Sequence, residues 1–181
     1  MKKVDPIRDI EKVKKMKSIL KRQNFRDYLL FYLGINSGLR ISDLLKLQVK
    51  DVKDKTSIRL VEQKTGKNKK IKMNHQLKNA IDDYITGLDD QEYLFQSRKG
   101  DNKPISRVQA YRVLKKAAKE LGLEHIGTHT LRKTFGYHHY KQNKDVALLQ
   151  RIFNHDSPST TLEYIGISQE EIDNSYNDFH I

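Results

Sequence analysis

The chain has 181 residues and a formal charge of +12, from 35 Lys and Arg against 23 Asp and Glu. It has no cysteine, which excludes disulfides, thiolate metal sites and a cysteine nucleophile. No apolar run approaches the ~18 residues of a membrane span, and Met1-Lys2-Lys3 leads into a polar segment, so a cytoplasmic protein without membrane contact is expected. In chain order, Ile7, Ile10, Val13, Met16 and Leu20 recur at helical spacing and predict a helix over 6–22. Asn24 caps a second, almost wholly apolar helix that Ser37-Gly38 ends, and a short helix follows from Ile41 to Leu47. Alternation over 57–62 and 69–73, flanking Lys64-Thr65-Gly66-Lys67-Asn68, predicts a β-hairpin, and Glu92 to Gln96 a third short strand. Helices resume at 75–86, from a Ser106 cap to Leu121, from a Thr128 cap to Gln142, and over 145–153, 159–165 and 168–177. The expected class is α+β, mostly helical, with a small antiparallel three-stranded sheet in one domain spanning 1–181.

The charge is lopsided. Residues 1–80 hold 22 basic and 8 acidic residues, whereas residues 81–181 hold 13 and 15. A field of that shape points to a polyanion, and nucleic acid leads the candidates for a chain of this kind. A lysine-rich solvated surface is the plain alternative.

A few positions carry chemistry. Arg40 follows Ser37-Gly38-Leu39 at the mouth of a short helix, and Lys64 sits at the hairpin tip. His129 and Arg132 are three apart at the start of a helix and share one face. His155 and Tyr164, nine residues apart, flank Ser157-Pro158-Ser159. Taken singly, each has an ordinary reading: a surface ion pair for Arg40, edge protection for Lys64, helix hydrogen bonds for His129 and Arg132, and packing for Tyr164. His125 and His129 have metal-ligand spacing, but Gly127 intervenes and no Cys or nearby carboxylate completes a set. No phosphate-cradling glycine loop is present.

Taken together and in order, these segments resemble the tyrosine recombinase, or phage integrase, family. Gly38-Leu39-Arg40-Ile41-Ser42-Asp43-Leu44-Leu45 is similar to its first-arginine motif, and His129-Thr130-Leu131-Arg132 to its His-x-x-Arg motif. Asn154 to Ile165 resembles the segment joining the last histidine to the tyrosine nucleophile, and Lys64-Thr65-Gly66 its hairpin lysine. The resemblance covers roughly residues 6–177. It departs at Asp43, where Glu is usual, at Lys133, where a second His is common, and at Phe153-Asn154 before His155. Only 39 residues precede Arg40, so the family's N-terminal clamp domain is expected to be absent.

The resemblance implies the family's catalytic-domain fold and site-specific strand exchange on double-stranded DNA by assembled protomers. Tyr164 would attack the phosphate to give a 3′-phosphotyrosyl intermediate. Arg40 and Arg132 would clamp the phosphate with paired N–H donors. Lys64 would protonate the leaving oxygen, His129 would act in proton transfer, and His155 would hydrogen-bond the phosphate. Lys67, Lys69, Lys70 and Lys72 would contact the DNA backbone. No metal or other cofactor is implied. A catalytically idle DNA-binding or assembly module is the rival, and topoisomerase-like relaxation by the same site is a second. The tail 165–181 carries Glu170, Glu171, Asp173 and Asp178 without a Lys or Arg. Its docking on a neighbouring protomer and its folding back on its own domain stand as equal expectations.

Overall fold

In the computed structural model, which describes residues 4–167 together with 176 and 177, the first helix starts later than its apolar spacing suggests. Helix α1 spans Ile10–Gln23, capped by the Asp9 carboxylate, which accepts the Glu11 N–H at 2.8 Å. Residues 6–8 stay outside it because their polar groups are spent elsewhere. The Ile7 N–H donates to Thr134 Oγ1 at 2.9 Å, and His138 Nε2 bonds the Ile7 carbonyl at 2.9 Å. Arg8 Nη2 donates to the Gly166 carbonyl at 2.5 Å. The segment is a strap across the far end of the chain.

Helix α2 (Phe25–Ser37) is capped by Asn24 and buries every side chain from Tyr28 to Leu33, so it forms the spine of the core. Gly38 closes it at φ 63°, a left-handed turn, and a Cβ there would lie 2.6 Å from the Phe135 ring. The short α3 covers Ile41–Leu44 and stops three residues before the expected end, since Leu47 turns away to accept from Leu94 N–H at 2.9 Å. A 3-10 turn, Val49–Asp51, leads into the hairpin of β1 (Ser57–Val61) and β2 (Asn68–Lys72). The strands pair antiparallel, with Ser57 opposite Lys72 and Val61 opposite Asn68.

The sheet has two strands, and the expected third strand at Glu92–Gln96 is not part of it. That segment makes only isolated bridges, Gln48 with Tyr93 and Gln96 with Pro104. Leu94 and Phe95 are both buried, which breaks the alternation a sheet face needs. Its polar groups go to scattered partners: the Leu94 carbonyl to Tyr84 Oη and the Tyr93 N–H to Asn102 Oδ1.

The remaining helices are α4 (His75–Ile85), α5 (Arg107–Lys119), α6 (Thr128–Asn143), α7 (Val146–Phe153) and α8 (Pro158–Ile165). Ser106, Asp145 and Ser157 cap α5, α7 and α8 through their side chains. Thr128 does not cap α6. Gly127 holds that place and Thr128 is the first helical residue, while Thr130 Oγ1 reaches back to accept the Gly127 N–H at 3.1 Å. The predicted helix over 168–177 and the tail's docking lie outside the described residues, apart from 176 and 177. Among the described residues no helix is long and apolar enough to cross a membrane.

Two hydrophobic clusters organise these elements. The larger surrounds α2, which packs against α6 where Gly34 lets Leu131 approach. The smaller joins Leu149, Phe153, Ile165 and Ile167, with Phe135 and Tyr164 against it. It seats α7 and α8 on α6 at Gly136, where a Cβ would lie 2.6 Å from Ile165 and 2.7 Å from the Phe153 ring. Burying Phe153 alone favours this seating by about 2–3 kcal/mol.

Candidate active site

Three elements converge at the position of the two arginines. Arg40 precedes α3 in extended conformation, so its side chain leaves the turn that Gly38 makes and points across to the hairpin. There its Nη1 lies 3.0 Å from Glu62 Oε2, an ion pair off the line of a hydrogen bond. Glu62 is 3% exposed; its Oε2 also accepts the Thr65 hydroxyl at 2.8 Å, and its Oε1 accepts Lys69 Nζ at 3.1 Å. Burial alone would raise its carboxyl, but the Thr65 hydroxyl, the Lys69 ammonium and Arg40 hold it at about 2. Glu62 is therefore a fixed anion behind Arg40.

Arg132, on the inner face of α6, is 2% exposed. Its Nη1 donates to the Gly38 carbonyl at 2.6 Å and its Nη2 to the Phe153 carbonyl at 2.8 Å. Its guanidinium carbon lies 4.3 Å from the Phe153 ring centre. The charge of the guanidinium also acts on the Tyr164 phenol, so the segment before α3, α6 and α8 meet at this point. Asp43 sits just behind, with Oδ1 accepting the Gln63 N–H at 3.0 Å.

His155 and Tyr164 face each other edge to face, with ring centres 5.0 Å apart. His155 Nδ1 pairs with Thr161 Oγ1 at 3.2 Å, one helical turn before Tyr164, and this fixes the ring relative to α8. Burial lowers the His155 pKa, and Arg132 and Arg40 lower it further. His129, one turn before Arg132, is lowered first by burial and then by Arg107 and Arg132. Both imidazoles are thus biased to the neutral form, which offers one donor and one acceptor each. Burial raises the Tyr164 pKa, while Arg132 and Arg40 pull it back.

The structure thus gathers Arg40, His129, Arg132, His155 and Tyr164. Lys64 stands apart on the exposed turn of the hairpin, close enough for its charge to act on His155. The four lysines expected to touch DNA divide. Lys70 and Lys72 are exposed on β2, and Lys67 Nζ donates to Asn154 Oδ1 at 2.6 Å. Lys69 turns inward instead, with Nζ on Glu62 and, at 2.8 Å, on the Ile152 carbonyl, and burial and then Arg132 lower its pKa.

Sequence reasoning missed Glu62, and strand parity could have found it. Residues 58, 60 and 62 share one face, and Ile58 marks that face as the inward one. It also missed Gly136, whose small size no periodicity reveals.

Comparisons with known proteins bear on the family and the fold. The model of the phage integrase family matches residues 9–171. The chain is 53% identical over 176 residues to the probable integrase/recombinase YoeC of Bacillus subtilis, covering 97% of both chains. It is 29% identical to the tyrosine recombinase XerA of Pyrococcus furiosus, covering 90% of this chain and 57% of that protein. The fold is similar to the crystal structure of XerA recombinase, with a TM-score of 0.78 at 22% identity, over 96% of this chain and 65% of that one. Relative to XerA, then, the chain spans somewhat over half the length.

Proposed function

The chain belongs to the phage integrase family, and from that membership and the geometry of the site we propose that it acts as the catalytic module of a tyrosine recombinase. Its substrate is double-stranded DNA, cut and rejoined through a 3′-phosphotyrosyl intermediate. The observation that carries this reading is Tyr164 set edge to face against His155, 5.0 Å between ring centres, with Arg132 and Arg40 close enough for their charges to act on both.

In the first step the Tyr164 oxygen bonds to phosphorus and the bond to the 5′ oxygen breaks. Arg40 and Arg132 hold the non-bridging oxygens, where negative charge grows in the transition state. His155 donates to the same phosphate, His129 takes part in moving the tyrosine proton, and Lys64 delivers a proton to the 5′ oxygen as it leaves. The exposed place of Lys64 on the hairpin turn suits it to that task, because its ammonium lies outside the Glu62 anchor that holds Lys69. Rejoining reverses the roles: a 5′ hydroxyl attacks the phosphotyrosine and Tyr164 regains its proton. The exposed lysines of β2 and the charge excess of residues 1–80 would hold the flanking backbone.

Strand exchange needs several protomers on DNA, and the tail 165–181 is a candidate for the contact between them. Deleting residues 168–181 should preserve single-site binding and abolish multi-protomer complexes.

Incubation with nicked suicide duplexes of a candidate site tests the reading. A denaturation-resistant adduct should form at Tyr164, and Tyr164→Phe should remove it while DNA binding persists. Binding without an adduct on any such duplex would leave the idle module as the better reading. Relaxation of supercoiled plasmid without strand exchange would favour the topoisomerase-like one.

A further inference from the structure

One cation at the site has no part in the chemistry above. Lys133 follows Arg132 on α6 and is only 6% exposed, a rare place for an ammonium. Its Nζ lies over the Tyr164 ring, 5.2 Å from the centre. The Phe153 and His155 rings meet the same tyrosine at 5.5 and 5.0 Å, both nearly perpendicular to it. The phenol therefore lies against two edge-on rings and an ammonium, and the Arg132 charge also acts on it.

We propose that Lys133 is a positioning residue for the nucleophile, its ammonium holding the Tyr164 ring in place and stabilising the phenolate as it forms. The proposal rests on Tyr164 being the nucleophile. A cation over a neutral phenol gains a modest attraction from the ring's negative face. Once the hydroxyl loses its proton, the ring carries part of a full negative charge and the attraction grows. An interaction that strengthens between ground state and transition state accelerates the reaction instead of only tightening the resting state. Burial makes it stronger than the same pair would be in water. Among the described residues, the other titratable groups that act on this phenol include Arg40 from the start of α3, Arg132 from α6 and His155 from the α7–α8 connection, with Glu62 and Asp43 behind the arginines. Glu62 is paired with Arg40 and Lys69, so its charge is largely offset. Lys133 is the group among these that lies over the ring itself.

The test uses single-turnover cleavage of a nicked suicide duplex at saturating protein, followed from pH 6 to 10. Lys133→Met and Lys133→Gln remove the charge, and Lys133→Arg keeps it. Each neutral variant should cleave at least tenfold more slowly near pH 7, with the alkaline rise of the rate displaced upward by about one pH unit, which is the same tenfold in ionisation. With a fluorinated tyrosine of much lower pKa at position 164 both should approach the rate of the protein with Lys133 intact, and Lys133→Arg should keep the wild-type rate and profile. DNA affinity should be unchanged in all three. An unchanged profile, or a loss that the fluorinated tyrosine leaves in full, overturns the proposal. So does failure of both neutral variants to fold by far-ultraviolet dichroism, because the ammonium would then serve the fold alone. A wild-type protein that forms no adduct sinks the Tyr164 reading instead, so the two failures are separable.

Discussion

Arg132 Nη1 donates to the Gly38 carbonyl at 2.6 Å, so one arginine of the site is fastened to the backbone that delivers the other. Gly38 lies two residues before Arg40, in the left-handed turn that ends α2. The second carbonyl on Arg132 belongs to Phe153, at the end of α7. A single planar group thus sets the spacing of three segments, and a point charge on a flexible stem could not do so.

Arg132→Lys should therefore damage both reaction and fold. Loss of the two carbonyl bonds costs about 2 kcal/mol. That corresponds to a fall of roughly 4–8 °C in melting temperature for a chain of this size. Cleavage should fall by at least an order of magnitude, with DNA affinity little changed. Calorimetry and adduct yield check the two effects separately. Equal losses of affinity and cleavage would make Arg132 a DNA-positioning contact.

Glu62→Gln should make stability respond differently to acid. The folded carboxyl titrates at about 2, below its ordinary 4.5, so its contribution is complete above the unfolded value and is lost as pH falls toward 2. That contribution is about 3 kcal/mol at neutral pH. Urea unfolding of the two proteins should differ most at pH 7, and the gap should close between pH 4.5 and 2. A gap independent of pH would place the cause in packing rather than charge.

Gly136→Ala tests how tightly α8 is seated. The new methyl would fall 2.6 Å from Ile165 and 2.7 Å from the Phe153 ring, so α8 must move outward. Overpacking of this kind costs about 1–3 kcal/mol. A displacement of Tyr164 by about 1 Å can cost on the order of 100-fold in rate. Adduct formation should suffer far more than DNA binding.

The two hairpin lysines should separate by leaving group. Lys64→Ala should cleave ordinary DNA at least a hundredfold more slowly, within the usual range for a general acid of about 10²–10⁴. A duplex whose 5′-bridging oxygen is replaced by sulfur leaves as a stable thiolate and needs no proton, so it should restore the rate. Lys69→Ala should show no such rescue, because Lys69 braces Glu62 and the Ile152 carbonyl. Rescue of Lys69→Ala alone would exchange the two assignments.

Much of this architecture is written in local chemistry. Asn24, Ser106 and Ser157 cap the helices they precede, and the hairpin lies where alternation and Lys64-Thr65-Gly66 place it. Local rules failed where a distant partner decided the outcome. Pro6 to Arg8 fit a helical pattern but bond to Thr134, His138 and Gly166, more than 120 residues away. Glu92 to Gln96 favours a strand by composition, yet Leu94 and Phe95 both turn inward. At the candidate site, order and spacing in the sequence single out Arg40, His129, Arg132, His155 and Tyr164, and their local motifs carry the resemblance. Glu62, Lys69 and Lys133 owe their environment to the docking of the hairpin and α8 on the rest of the fold, which sequence periodicity does not encode.

The strap of residues 6–8 ends at the close of α8: Arg8 holds the Gly166 carbonyl, two residues beyond Tyr164, while Ile7 is anchored on Thr134, two residues beyond Arg132. Residues 6–8 are thus a clasp that ties the middle of α6 to the end of α8, and it joins positions more than 120 residues apart in the chain.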